Sequence, residues 1–236
     1  MLELSEELLI RSFRMEARYT ATRLLALPET RSLAGDFEEA HDKLALLEDE
    51  GARLDLRRIE IQATVEIADD AWDDTVLAFQ RRLLELVDNN VDAELYRGYF
   101  ADIPSHVTSL SYAAEVMISR ELEQKLSADT HLDLQSFSSR LAEKRASLEA
   151  ALHERTRLEV DEARFQNRVA LAKAILNKLR RVLFASLEEV ARARGYPHGW
   201  CFRFFHSDND HFEASLDGVE ELEPAALPEG DLADPG

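Results

Sequence analysis

The chain is poor in the residues that break helices and in the residues that carry most enzyme chemistry. Of its 236 residues only eight are glycine, six are proline and one is cysteine. The lone Cys201 excludes an intrachain disulfide. Together with an N-terminus (Met-Leu-Glu-Leu-Ser-Glu-Glu) that lacks the basic start of a secretory signal, it points to the cytoplasm. No apolar run approaches the roughly 18 residues that would span a bilayer. There is no Gly-rich phosphate loop, no Gly-x-Ser-x-Gly and no His-Glu-x-x-His. Carboxylates are plentiful, but no spacing marks out an acid/base pair.

The scarcity of breakers is most pronounced between Pro104 and Gly195. The 90 residues from Ser105 to Arg194 contain neither glycine nor proline, and a run of that length without turn punctuation reads as helix. Phe165, Val169, Ala172, Leu176, Leu179, Leu183, Leu187 and Val190 follow at steps of three and four, which places them on one helical face. Gly195 stands where a helix would end in a left-handed residue. Leu, Ala, Glu and Arg, all good helix formers, dominate the rest. The hydrophobic share of 45% suits a packed core. The expected fold is an all-α, elongated antiparallel bundle with coiled-coil-like seams, formed by residues 1–195. A short β-like segment at 196–219 would pack on it, and an acidic, disordered tail would fill 220–236.

Taken in order, Ser5 reads as the cap of a first helix carrying Leu9, Phe13, Ala17, Leu24 and Leu27, ended by Pro28. Thr30 reads as the cap of a second helix. Its seam Leu33, Phe37, Ala40, Leu44, Leu47 steps four, three, four, three. Gly51 either ends this helix or lies inside it. Residues 54–67 admit two readings. Ile59, Ile61, Ala63, Val65 and Ile67 alternate with polar residues as in a half-buried strand. Leu54, Ile61, Val65, Ala68, Trp72, Val76, Phe79, Leu83 and Leu86 also share one helical face. The helical reading is preferred because one element then explains 54–87. Asp88-Asn89-Asn90 marks a turn, a short helix follows at 92–100, and another runs from Pro104 to Leu126. Ser127-Ala128-Asp129-Thr130 is the one turn-like tetrad inside the long run. From Leu132 to Arg194 no break is forced. A continuous helix there would be about 95 Å long. Its middle, His153 to Arg164, is almost wholly charged and fits a solvated protrusion, a hinge or a contact surface. Each half of the chain also offers a helix of about two dozen residues, then a long helix, then an apolar-rich helix, a hint of duplication, with Asp69-Asp70-Ala71 echoed by Asp161-Glu162-Ala163.

The net charge is −19, which disfavours nucleic acid as a partner. Tyr196–Gly236 holds ten acids and one base (Arg203), while the preceding residues mix 37 acids with 27 bases as solvated helix faces do. The densest basic group, Lys173, Lys178, Arg180 and Arg181, reads as such a face. Trp200 to Phe205 is aromatic and strand-like, with a turn at 206–210 and a possible return strand at 211–216. Among candidate metal ligands, Glu38-x-x-His41 is half of a ferritin-like di-iron motif, which needs two Glu-x-x-His pairs. His206, Asp208, Asp210 and His211 are close in sequence but follow no ligand spacing and read as a turn. Cys201 reads as a small buried hydrophobe. No catalytic, cofactor or metal residue is therefore assigned. The expected function is a non-enzymatic interaction, scaffold or adaptor module that binds a protein partner or itself through helix faces. A metal-binding bundle built on Glu38, His41 and neighbouring carboxylates is the alternative, and an acidic tail engaging a basic partner is a third.

Overall fold

The structure is a computed structural model and describes residues 3–100 and 110–206. It is predominantly helical, and no strand occurs among the described residues. Among the described residues five α-helices follow in order: α1 (Ile10–Leu25), α2 (Gly35–Leu86), α3 (Glu94–Tyr99), α4 (Tyr112–Ser127) and α5 (Leu132–Arg194). Two short 3-10 turns, Arg31–Leu33 and Trp200–Phe204, complete the set.

Two very long helices carry everything else. The 52-residue α2 runs antiparallel to the 63-residue α5 in a single register. Arg82 pairs with Asp133, Arg57 with Asp161 at 3.3 Å, and Glu50 with Arg168 at 2.5 Å. The facing positions recur at steps of three and four. On α2 they are Leu44, Leu47, Gly51, Leu54, Arg58, Ile61, Val65, Ala68 and Trp72. On α5 they are Leu148, Ala151, Arg155, Leu158, Glu162, Phe165, Val169, Ala172 and Leu176. Steps of three and four keep these positions on one face of each helix. The alternation at 59–67 is thus a helical pattern: Ile61 and Val65 face the seam, while Ile59 and Ile67 point away, each about two-thirds exposed.

The charged stretch 153–164 is neither a hinge nor a free arm. Arg57 bonds both Glu154 and Asp161, and Arg58 bonds Glu162, so three of its acids face arginines on α2. Leu158 supplies a buried apolar contact in its middle.

Each end of this neck widens into a three-helix head. In the first head, Phe13, Ala17 and Leu24 of α1 meet Phe37 and Leu44 of α2 and Leu176, Leu183 and Leu187 of α5. In the second, Trp72, Val76, Phe79 and Leu83 of α2 meet Leu122 and Leu126 of α4 and Leu134, Phe137 and Leu141 of α5, with Tyr96 and Phe100 closing the end. A 16-residue helix precedes each long one and packs at opposite ends of the neck, shorter than the two dozen residues that the hinted duplication called for. The Asp69/Asp161 echo does not survive, because Asp161 lies on the neck and Asp69 beside the second head.

Several local expectations need correction. Helix α1 begins at Ile10, not after Ser5, and Leu9 is 73% exposed. The Ser5 hydroxyl accepts only from the Glu7 amide. What fixes the preceding segment is Asn177, whose side chain accepts from the Leu4 N–H and donates to the Leu4 carbonyl, both at 2.9 Å. Thr30 closes α1 instead of opening α2: its hydroxyl donates to the Leu24 carbonyl at 2.8 Å, satisfying a helix-end acceptor. The described part of the helix expected from Pro104 starts at Tyr112, and the stretch 101–109 lies outside the described residues. Trp200–Phe204 forms a 3-10 turn, not a strand. Gly199, at φ +88°, reverses the chain after α5, and bonds from Trp200 to Pro197 and from Phe202 to Gly199 coil it tightly. The aromatic pattern then buries Trp200, Cys201, Phe204 and Phe205 in the first head and leaves Phe202 outside. The expected return strand and acidic tail, from residue 207 on, lie outside the described residues.

Other expectations hold. Gly195 ends α5 in the left-handed region at φ +70°, Asp88 and Asn89 take positive φ at the turn after α2, and Asp129 accepts from the His131 amide before α5. Gly51 is interior. A Cβ there would lie 3.0 Å from Cζ of Phe165, so the glycine lets that ring lie against the backbone of α2. Gly51→Val should therefore overpack the neck, at a cost of about 1–3 kcal/mol, or roughly 3–10 °C in Tm for a chain of this size. Adding Phe165→Leu should recover part of the loss. Thermal unfolding of the wild type, both single variants and the double variant measures this coupling. Additive effects would show that the ring and the glycine do not meet.

Candidate functional site

The chemistry-bearing group that the fold assembles lies where α4 meets α2. Along α2 the sequence reads Asp69-Asp70-Ala71-Trp72-Asp73-Asp74. Helical spacing brings Asp69 and Asp73, four residues apart, onto one flank of the seam residue Trp72. From the other side α4 contributes Glu115 in its first turn. Carboxylate oxygens of Asp69, Asp73 and Glu115 lie within 4.8 Å of one another. Glu115 is 1% exposed, and the two aspartates are half-buried.

The electrostatics are adverse for three negative charges. Asp69 Oδ1, Asp73 Oδ1 and Glu115 Oε2 are buried and have no hydrogen-bond partner among the described residues. No cation pairs with any of the three there. Burial, then a hydrogen bond to Asp69, then the charges of Asp69 and Asp73 push the Glu115 carboxyl up to about 8. Burial and the neighbouring Asp69, Asp70 and Asp74 push Asp73 up to about 6. Tyr112, one turn before Glu115, is also raised, by burial first and by Asp69 second. The Arg155 guanidinium stands 5.4 Å from the Tyr112 ring.

The helix that carries Glu115 is held by charge elsewhere. Arg145 of α5 bonds Glu123 at 2.7 Å and Glu149 at 2.7 Å, and Glu149 in turn receives Arg120 at 2.6 Å. These bonds fix α4 along α5, so Glu115 is presented to α2 by a rigid support.

The residues singled out from sequence fall elsewhere. Glu38 is exposed, and the His41 ring nitrogen Nδ1 lies 3.0 Å from the adjacent Asp42. Neither joins a set of three possible ligands. The His206 amide donates to the Glu16 carboxylate, and its ring meets Tyr19 edge-on at 5.2 Å. Asp208, Asp210 and His211 lie outside the described residues. Cys201 is buried in the first head, where burial pushes its thiol up. Three of the four cations in the basic group serve internal contacts: Lys173 donates to the Glu6 and Leu8 carbonyls, Arg180 pairs with the buried Glu16, and Arg181 pairs with Glu3. A cleft of about 190 Å³ between Glu188, Arg192, His198 and Cys201 opens beside the first head. It is smaller than the usual small-molecule site.

The carboxylate cluster escaped sequence reading because its members belong to different helices. The only local signal was the pair Asp69 and Asp73 flanking an apolar seam position, where a solvated face would be the ordinary reading. Comparison with known protein families, curated proteins and solved structures returns no match.

The raised Glu115 and Asp73 carboxyls bind protons more tightly in the folded chain than in the unfolded one. Their protonated forms therefore favour folding fully below the ordinary carboxylate range, and that advantage is lost as pH rises through about 6 and then about 8. In buffer containing a chelator, Tm should fall between pH 5 and 9, and Glu115→Gln should flatten the upper part of that profile. Calorimetry of both proteins over this range checks it. Parallel profiles would show that Glu115 does not carry the effect.

Proposed function

We propose that the protein is a non-enzymatic scaffold or adaptor module that joins other proteins, or copies of itself, through the faces of its long helices. The observation that carries this reading is a second apolar stripe on α2, opposite its seam. Leu56, Ile59, Ala63 and Ile67 follow at steps of three, four and four, and the three large residues are 63%, 67% and 68% exposed. Such a stripe on a neck that already has its partner helix is surplus to the folding of one chain. A shallow groove between Arg58, Ile59, Gln62, Ala63 and Glu66 runs beside it. On the C-terminal half of α5, Leu171, Ile175 and Val182 are exposed as well.

A helix is the natural occupant of such a stripe, since anchors at these intervals match the spacing of another helical face. The long neck supports the reading in a second way, because it holds two packed heads apart on a stiff rod. No helix among the described residues is long and apolar enough to cross a membrane. The single cysteine supports placing the protein in the cytoplasm. Ferritin-like chemistry at Glu38 and His41 gains no support from their surroundings.

Ile59→Asp with Ile67→Asp tests the stripe. Both side chains point away from the seam, so the double variant should keep its unfolding free energy within the small range usual for surface substitutions, about 0.5 kcal/mol each. Sedimentation equilibrium from micromolar to sub-millimolar protein should show self-association of the wild type that the double variant loses. A wild type that stays monomeric throughout would contradict self-assembly. A double variant that associates as the wild type does would remove the stripe as the contact.

A further inference from the structure

We propose that Asp69, Asp73 and Glu115 form a binding site for a hard divalent cation, which ties the first turn of α4 to α2. Two separate observations lead there. The first is convergence: three carboxylates from two helices bring oxygens within 4.8 Å of one another. The second is the condition of Glu115. Its side chain is almost wholly buried, is aimed at the two aspartates, and leaves Oε2 with no hydrogen-bond partner. A buried carboxylate oxygen without a donor is costly. Here each of the three converging carboxylates has one such oxygen, and no arginine or lysine among the described residues pairs with them.

The donor set selects the ion. All three ligands are carboxylate oxygens, with no imidazole or thiolate, which suits calcium, magnesium or manganese and not zinc or copper. The aspartates keep one side of the site open to solvent, so water can complete the six or more ligands such ions need. Because Arg120 and Arg145 hold α4 along α5, the ion would complete a three-way tie among α2, α4 and α5 beside the second head. The proposal does not depend on the scaffold reading, and neither one's failure affects the other.

Trp72 provides an optical probe. It precedes Asp73 and is buried in the second head, whereas Trp200, the other tryptophan, lies in the first. Terbium, a hard oxygen-seeking ion, should show emission sensitised through Trp72. Calcium or manganese should displace it, and Trp72→Phe should abolish the emission while leaving manganese binding, read by electron paramagnetic resonance, in place. At a hundredfold excess over Kd, calcium, magnesium or manganese should raise Tm by about 5–10 °C over a control of equal ionic strength. Glu115→Gln and Asp73→Asn, two variants in case one folds poorly, should each lose most of that rise. The proposal is overturned if manganese remains free at millimolar concentration. It is overturned equally if both variants keep the full Tm rise, or if the wild type gains nothing beyond the ionic-strength control. In those cases the cluster is a set of acids that share a proton.

Discussion

The pairing of α2 with α5 is the constraint on which the rest of this structure depends. Neither helix could persist alone at such length, because a helix draws most of its stability from burying one face. Along their shared seam each covers the other, and the ends of the same seam become the floors of the two heads. Short helices α1 and α4 then do one task each: they cover the apolar residues that a two-stranded contact leaves open where the seam residues become large, at Phe37 and Leu183 on one side and at Phe79 and Phe137 on the other.

The neck between the heads has little apolar material to spend. Arg58 and Glu162 occupy seam positions, and Arg57 reaches both Glu154 and Asp161. Exposed ion pairs add little stability, so their main effect lies in register. Sliding either helix by one turn would set Arg57 and Arg58 against the wrong partners and move Gly51 away from Phe165. A polar seam position that fixes alignment at some cost in stability is a known device of coiled coils. In the first head Glu16 and Arg180 play a comparable part inside the core. Burial pushes the Glu16 carboxyl up while Arg180 and the His206 amide pull it back, and that pair joins α1, α5 and the segment after the second 3-10 turn.

Much of this was legible in the residues. The glycine- and proline-free run, the three-four spacing from Phe165 to Val190 and Gly195 at its end mark the C-terminal half of α5 without coordinates, but leave open whether 132–194 is one helix or two. The same spacing carried α2 through the ambiguous alternation at 59–67, because one helical face explained residues on both sides of it. What was not legible depended on partners distant in sequence. The charged middle of α5 fitted a solvated protrusion, a hinge or a contact surface equally until Arg57 and Arg58 of α2 came opposite. Ser5 had the composition of a helix cap, but Asn177, far along the chain, fixes that segment instead. Trp200–Phe205 had strand-like composition, and only the reversal at Gly199 turned its rings inward. The carboxylate cluster combines both difficulties: two of its members are a local repeat of aspartates, and the third, Glu115, arrives on a helix 42 residues beyond Asp73.

The central claim is that α5 is one continuous helix held in register along α2, keeping two heads apart. Spin labels at Ala146→Cys and Val182→Cys, both exposed positions on α5, in a Cys201→Ser background, test it by double electron–electron resonance. Thirty-six residues of unbroken helix predict one narrow distance distribution near 54 Å, at about 1.5 Å per residue. A distribution centred far below that, or split into two, would mean that the chain bends within 153–164, and the rod-like neck would be contradicted.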